Sequence, residues 1–184
     1  MAHSTRHAWI LLMGGCCLAG CRNDLEQVAD FESLTGPSQV LTGADLEYSE
    51  DGQLTHRLSA GHMTRSSEEP PVWDVTEGFS LEILTDSGTV DARLQADRGV
   101  FKEESQFLEA HGHVVLSGAQ ADTLHTELLF WSADSDRVHT PAHVEVITPE
   151  GTLRGTGLES DARFQRYRIL KPTGIFLVDT TDRQ

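Results

Sequence analysis

The sequence repeats itself about every thirty residues, and this repetition limits the possible folds more than any other feature. In each copy a small residue is followed by alternating apolar positions. Copies begin at Gly78, Gly112, Ala142 and Gly174, and turn signals such as residues 86–88 (Asp-Ser-Gly) lie between them. A unit of this size cannot bury an apolar face alone, so successive units must stack on one another.

The apolar positions of each copy alternate with a period of two, as in strands that have one interior face. Val114 and Leu116 follow this pattern, and so do Val144 and Val146. No window longer than about ten residues keeps a helical spacing of apolar positions. The sequence therefore predicts an all-β domain of stacked antiparallel hairpins, arranged as a sandwich or as a jelly-roll-like fold. An open stack leaves unpaired strands at both ends, and these are candidate docking edges.

The charge balance excludes one large class of partners. The 184 residues include 29 acidic and 14 basic side chains, for a net charge of −15. Nucleic-acid binding depends mainly on Lys and Arg releasing condensed counterions, so we expect no nucleic-acid partner. The length suits one domain, or two small ones at most. No stretch approaches the roughly 20 continuous apolar residues of a membrane-spanning helix.

Residues 1–20 are predicted to be a secretory signal peptide. Arg6 precedes a short apolar run, and residues 18–21 read Leu-Ala-Gly-Cys. This ending resembles the lipobox of bacterial lipoproteins, which are cut before a cysteine that has received a diacylglycerol. Cys21 would then be the lipid-bearing first residue, on a mature chain with a net charge of −16 and no pair of thiols for a disulfide. The alternative is an ordinary secretory signal with an incidental cysteine.

The predicted organisation after the leader has three parts. Residues 21–37 comprise the lipidated cysteine and a short, polar N-terminal tether. Residues 38–180 form the β-domain, and residues 181–184 are a tail.

The repeats and the leader together resemble a known family. The residues that carry the resemblance are Leu94, Ala96, Asp97, Gly99 and Phe101; Leu108, Ala110, Gly112, Val114 and Leu116; Leu124, Thr126, Glu127, Leu129 and Trp131; Val138 and Thr140; and Gly155, Gly157, Leu158, Ser160 and Asp161. Their order and spacing behind a single anchor resemble the LptC family of periplasmic lipopolysaccharide-export proteins, in particular its lipoprotein-anchored form. The resemblance covers about residues 41–178.

The resemblance implies an OstA-like open β-jelly roll, related to LptA and to the periplasmic part of LptD. Such proteins stack end to end. The family member accepts lipopolysaccharide from the inner-membrane ABC transporter and passes it to an LptA-like bridge protein along a groove. The resemblance implies no bond-making chemistry, and we expect no catalytic residue and no cofactor.

A groove for acyl chains needs apolar walls, because exposing apolar surface to water costs about 25 cal/mol per Å². The candidate lining residues are the alternating positions Phe79, Leu81, Ile83, Val114, Leu116, Leu128, Phe130, Val144, Val146, Phe176 and Val178. The alternative is that these side chains are simply core.

The candidate partner edges are the first and last strands, which would pair by β-strand addition. They comprise Val40, Leu46 and Tyr48 in a strand at about residues 40–48, and Gly174, Ile175 and Leu177 in a strand at residues 174–178. The resemblance implies that the first edge faces the transporter and the last faces the bridge protein.

The resemblance also places the protein on the periplasmic face of the inner membrane, held there by its lipidated cysteine. Arg22 and not Asp follows that cysteine. In enteric bacteria this would direct a lipoprotein to the outer membrane, so outer-membrane anchoring stays open. Near the C-terminus, Arg163, Arg166, Arg168 and Lys171 form a basic cluster that could contact phosphates or an acidic partner, or simply be a solvated strand face.

Other functions are weighed against the carrier. His111 and His113 share a strand, but no motif has established metal-ligand spacing, and we expect no metal. No nucleophile elbow or phosphate-binding glycine loop is present. The main alternative is an envelope β-sandwich lipoprotein that binds glycans or serves as a scaffold. An envelope hydrolase that uses His and Asp residues is a remote third possibility.

Overall fold

The computed structural model describes residues 36–174, and the regular structure within this range is entirely β-strand. The strands are β1 (Gln39–Glu50), β2 (Gln53–Arg65), β3 (Val72–Leu84), β4 (Val90–Ala96), β5 (Arg98–Lys102), β6 (Phe107–Gly118), β7 (Thr123–Ser132), β8 (Arg137–Thr148), β9 (Gly151–Asp161) and β10 (Tyr167–Thr173). Between residues 36 and 174 no helix is long and apolar enough to cross a membrane.

The ten strands form one antiparallel sheet in the order β1-β2-β3-β4-β6-β7-β8-β9-β10. The short strand β5 continues the line of β4 and pairs with β3 and β6. Within the described range, β1 and β10 each pair with one neighbour. The predictions of an all-β, antiparallel and open fold are confirmed.

A line of irregularities, here called the crease, crosses the sheet at mid-strand. The pairing register shifts after Ala60 in β2, after His111 in β6, after Thr126 in β7 and after Thr140 in β8, and β4 is separated from β5 at Asp97. An extra residue in one strand bends that strand and increases its local twist. Because the irregularities are in register with one another, they bend the whole sheet along one line.

Glycines permit this bend at two points. Gly112 has a φ of 76°, a left-handed conformation that is costly for other residues. At Gly61 the need is for space, since a β-carbon there would lie 2.6 Å from the carbonyl oxygen of Glu77 on the neighbouring strand.

The crease divides the sheet into two layers that pack against each other. The first layer holds the strand segments that end at the β3–β4 and β6–β7 turns, and the second holds those that end at the β7–β8 and β9–β10 turns. Strands that are not sheet neighbours meet across the interior. The rings of His56 in β2 and Trp131 in β7 lie 5.9 Å apart, and Asp91 in β4 contacts Arg163 beyond β9. The core therefore lies between two halves of one folded sheet.

Candidate functional site

The interior between the layers holds six of the predicted lining residues. Phe79, Leu81, Val114, Leu116, Val144 and Val146 belong to one hydrophobic cluster. Each is buried, with exposed fractions from 0% at Val114 and Val146 to 9% at Leu81. The structure thus brings these six together as a closely packed interior. Ile83 is partly buried and packs against the same cluster.

Strand β7 departs from the predicted alternation. Leu128 and Phe130 were expected to face the interior, but Leu129 is the buried residue, with 1% exposure. The cause is the register shift between Thr126 and Phe130, which reverses the phase of the strand after Thr126. The assignment of Leu128 and Phe130 to the interior is therefore wrong.

Phe130 takes part in an aromatic group on the opposite face of the sheet. Its ring stacks on Phe107 at 5.8 Å and lies 5.1 Å from the ring of His139. The ammonium of Lys102 is 5.4 Å from the Phe107 ring centroid. These contacts cover part of the second layer's outer surface and take no part in the interior.

The interior also contains residues that the sequence pattern did not indicate. Phe164 is the largest of the fully buried side chains in the described part of the chain, with 1% exposure, and Ala162 is 2% exposed. Both lie in the turn between β9 and β10, within the segment interpreted from sequence as a basic strand face. The only signal for them was one aromatic residue between arginines, which does not distinguish a buried position from an exposed one.

This turn closes the edge of the interior that lies opposite the crease, here called the mouth. A guanidinium nitrogen of Arg163 lies 3.3 Å from a carboxylate oxygen of Asp91, and Asp91 is 7% exposed. The hydroxyl of Tyr167 donates to Asp122 at 3.1 Å. Burial and this hydrogen bond raise the pKa of Tyr167 to about 12. The second layer thus reaches across the mouth to the start of β4 and to the β6–β7 turn of the first.

His56 lies at the same edge of the interior. Its ring contacts Trp131 and also Tyr48, whose ring centroid is 6.0 Å away. Burial lowers the pKa of His56, because the charged imidazolium is poorly solvated among these rings. Within residues 36–174 the indole nitrogen of Trp131 is buried and has no hydrogen-bond partner.

The N-terminal edge candidates lie where the sequence placed them. The strand predicted at about residues 40–48 is present as β1, and Val40, Leu46 and Tyr48 are exposed by 50%, 42% and 62%. Leu46 and Tyr48 pair with Leu58 and His56, so their side chains extend the interior row of β2 to the open edge of the sheet.

The C-terminal edge candidates lie at the end of the described residues. The last described strand is β10, and Gly174 lies in a bend after it, with a φ of 142°. The strand predicted at residues 174–178 stays a prediction. The candidates Ile175, Phe176, Leu177 and Val178, together with Cys21, the leader and the tail, lie outside the described residues.

Two clefts of about 610 and 510 Å³ lie along the crease and share His113 and Val115. His113 bonds to Asp97 at 2.7 Å, and this contact raises the pKa of the imidazole. His125 and His143 line the second cleft. No group of three or more His, Cys, Asp or Glu residues within 36–174 is placed to hold a metal ion.

The basic cluster is largely neutralised by carboxylates of the same chain. Arg168 pairs with Glu159 at 2.7 Å and Arg166 with Asp161 at 3.7 Å, while Arg163 pairs with Asp91. Three of its four cations therefore have intramolecular partners, which favours the interpretation as a solvated surface over a phosphate site.

Comparison with known proteins adds the family. No curated protein matches the chain. The family model described as "Lipopolysaccharide-assembly, LptC-related" matches residues 42–174, which is most of the chain and nearly all of the folded sheet. The chain therefore belongs to the LptC-related family of lipopolysaccharide-assembly proteins, whose members are non-catalytic transport components of the periplasm associated with the inner membrane.

Proposed function

We propose that this domain carries lipopolysaccharide by its acyl chains, between the two layers of the folded sheet, and performs no catalysis. It would accept the lipid from the inner-membrane ABC transporter and pass it to an LptA-like bridge protein. The observation that carries the proposal is a continuous apolar interior whose side-chain rows reach the open edge of β1 at Leu46 and Tyr48.

The acidity of the chain is compatible with an anionic cargo held in this way. Acyl chains would replace protein side chains as the neighbours of Val114 and Val144, while the phosphorylated head group stays in water. At physiological salt, charges separated by more than about 8 Å are largely screened. The paired state of the basic cluster supports binding by the tails rather than by the phosphates.

The open edges support end-to-end assembly. Among the described strands β1 pairs only with β2, so its other edge could accept a further strand. We propose that this edge meets the transporter and that the C-terminal edge meets the LptA-like protein. A strand added at β1 would also cover Leu46 and Tyr48, which extends the apolar interior into the partner.

We further propose that the protein is the lipoprotein-anchored form of the family. Residues 1–20 would be removed, Cys21 would carry the lipid, and the tether would connect it to the domain on the periplasmic face of the inner membrane. The position of Arg22 leaves the outer membrane as the alternative site of anchoring. Replacing Cys21 with Ala and fractionating the envelope tests the anchor, since the variant should leave the membrane fraction or remain unprocessed.

The main alternative is a β-sandwich lipoprotein that binds glycans or acts as a scaffold. One specific observation favours it, namely that Val114 and Val146 are fully buried, as expected of a filled core that never opens. The two functions differ in whether lipid ever touches these side chains.

Photo-crosslinking in living cells separates them. A crosslinking residue is placed at Val144, which is 4% exposed, or at Ile147, which is 44% exposed on the same strand. The carrier function predicts lipopolysaccharide adducts at Val144 and none above background at Ile147. Absence of adducts at both Val144 and Val114 in a folded, anchored protein would reject the carrier, and equal labelling at Ile147 would indicate surface binding.

A further inference from the structure

The β9–β10 turn places an aromatic side chain where a turn residue is not expected. Turns normally lie at the surface, yet Phe164 is 1% exposed and belongs to the hydrophobic core. Its φ of 54° is left-handed, which is uncommon for a bulky residue and marks a strained position held by its surroundings. The ring of Tyr167 stacks on it at 4.7 Å.

The first layer is shaped to receive this turn. A β-carbon at Gly118 would lie 3.0 Å from the carbonyl oxygen of Arg163 and 3.1 Å from that of Phe164. The absence of a side chain at residue 118 therefore lets the turn sit against the end of β6. The φ of Gly118 is not left-handed, so a β-carbon here would need only a shift of a few tenths of an ångström in the turn.

The turn is also internally complete. The Oδ1 atom of Asp161 accepts from the backbone nitrogen of Gln165 at 2.9 Å, and Oδ2 accepts from that of Arg166 at 3.1 Å. The Asp161 carbonyl accepts from the nitrogen of Phe164 at 3.1 Å. These bonds remain intact if the turn moves as a unit, because none of them involves the first layer.

Its attachments across the mouth are few and lie at the solvent boundary. They are the Arg163–Asp91 ion pair and the Tyr167–Asp122 hydrogen bond. The strand pairings between residues 36 and 174 place no ladder across the mouth. The other hydrogen bonds of the turn stay within the second layer, as do those from the nitrogen of Ala162 to the carbonyl of Asp136 and from the nitrogen of Asp161 to the carbonyl of Arg166.

We propose that the β9–β10 turn is a plug, and that withdrawing Phe164 from between the layers admits the acyl chains of a lipid through the mouth. The inference rests on the proposed carrier function and names its point of entry. A hydrocarbon chain that takes the place of Phe164 and Ala162 keeps the apolar interior out of water, so the exchange avoids exposing the core.

A disulfide lock tests the plug. The β-carbon built at Gly118 lies 3.4 Å from that of Phe164, close to the roughly 3.5–4.5 Å that disulfides span. The double variant Gly118→Cys/Phe164→Cys is combined with the crosslinking residue at Val144 in full-length protein. Spheroplasts are treated with an oxidant or with dithiothreitol before illumination, and lipopolysaccharide adducts are quantified.

The plug predicts that adducts at Val144 are lost to the Ile147 background in the oxidised form and return on reduction of the same protein. The single variants Gly118→Cys and Phe164→Cys cannot lock and should not respond to the oxidant. Equal labelling in both redox forms of a protein whose disulfide has formed would overturn the plug. Loss of adducts in the parent protein without cysteine substitutions would instead reject the carrier function itself.

Discussion

The crease and the mouth bound the same interior from opposite sides, and they do so by different means. At the crease the strands are continuous, and backbone ladders resume on both sides of each irregularity. At the mouth the layers meet through side chains, of which Phe164, Arg163 and Tyr167 cross the gap. The crease therefore behaves as a fixed fold line, whereas the mouth has a small set of contacts that can be broken without unpairing a strand.

The two regions also differ in where their backbone strain lies. At the crease Glu77 and His113 adopt left-handed φ values of 62° and 44° next to Gly78 and Gly112, so each non-glycine residue shares the bend with a glycine. At the mouth Phe164 carries a φ of 54° between Arg163 and Gln165. At the mouth the strained backbone is thus that of a bulky residue, and the burial of its side chain holds the strained conformation in place. This difference predicts that substitutions at the mouth alter closure, while substitutions at the crease alter the fold.

The largest effect should come from emptying the mouth. Replacing Phe164 with Ala should reduce the free energy of unfolding by about 3–5 kcal/mol, as for other buried Phe-to-Ala changes, because the side chain is 1% exposed. Phe107→Ala is the matched control, since that ring stacks on Phe130 on the outer face, where such pairs contribute about 0.5–1.5 kcal/mol. Urea unfolding followed by circular dichroism measures both. Equal losses would show that Phe164 is not a core residue.

A smaller loss of stability is expected when a side chain is added at the crease. A β-carbon at Gly61 would lie 2.6 Å from the backbone oxygen of Glu77, and the backbone cannot move aside as a flexible side chain would. Gly61→Ala should therefore destabilise by about 1–3 kcal/mol, the usual cost of overpacking. Gly36→Ala is the control, because nothing lies within 4 Å of its added β-carbon. A thermal midpoint for Gly61→Ala that matches the control would contradict the crowding at the crease.

Removing the Arg163–Asp91 ion pair, one attachment of the plug, should lower the free energy of unfolding by an intermediate to small amount. Arg163→Gln leaves the buried carboxylate of Asp91 without its cation, which costs about 1–3 kcal/mol for an unsatisfied buried group. Arg168→Gln removes an ion pair between exposed side chains, and such pairs contribute about 0–1 kcal/mol. Urea midpoints at low and high salt compare the two. A lower urea midpoint for Arg168→Gln than for Arg163→Gln would contradict this prediction.

The parts of the fold that could be predicted from sequence are those that lie within one layer. The interior rows of β6 and β8 were predicted correctly, because Val114, Leu116, Val144 and Val146 alternate without interruption on one side of the crease. In β7 the same reasoning failed, since this strand crosses the crease with one residue fewer than β6 and β8, which exchanged the faces of Leu128 and Leu129. Period-two patterns are reliable within a layer and unreliable across a bulge, whose position the pattern does not mark.

The plug could not be predicted for a different reason. Its turn carries two arginines and the capping residue Asp161, a composition typical of a solvated loop. The burial of Phe164 depends on Gly118, which is 46 positions earlier in the chain and reaches the turn only when the sheet folds at the crease. Contacts made by tertiary folding between distant repeats leave no periodic signal in either segment.

The smallest effects expected are those of pH, and they should differ in sign between the two regions. Burial lowers the pKa of His56 at the mouth, so the folded state binds fewer protons than the unfolded state, whose imidazole titrates near the usual value of about 6.5. The neutral ring therefore stabilises above that value, and stability is lost as the pH falls through the lowered pKa. At the crease the hydrogen bond to Asp97 raises the pKa of His113, so the contribution of this pair to stability is complete below about pH 6.5 and is lost as the pH rises through the raised pKa.

Urea unfolding between pH 5 and 8 measures both effects. The free energy of unfolding of His56→Gln should rise relative to that of the parent protein as the solution is acidified. The free energy of unfolding of His113→Gln should fall below that of the parent protein by the largest amount at pH 5, and the difference should disappear towards pH 8. A difference between His56→Gln and the parent protein that does not change with pH would mean that His56 is solvated in the folded protein, and hence that the mouth stands open in solution without lipid.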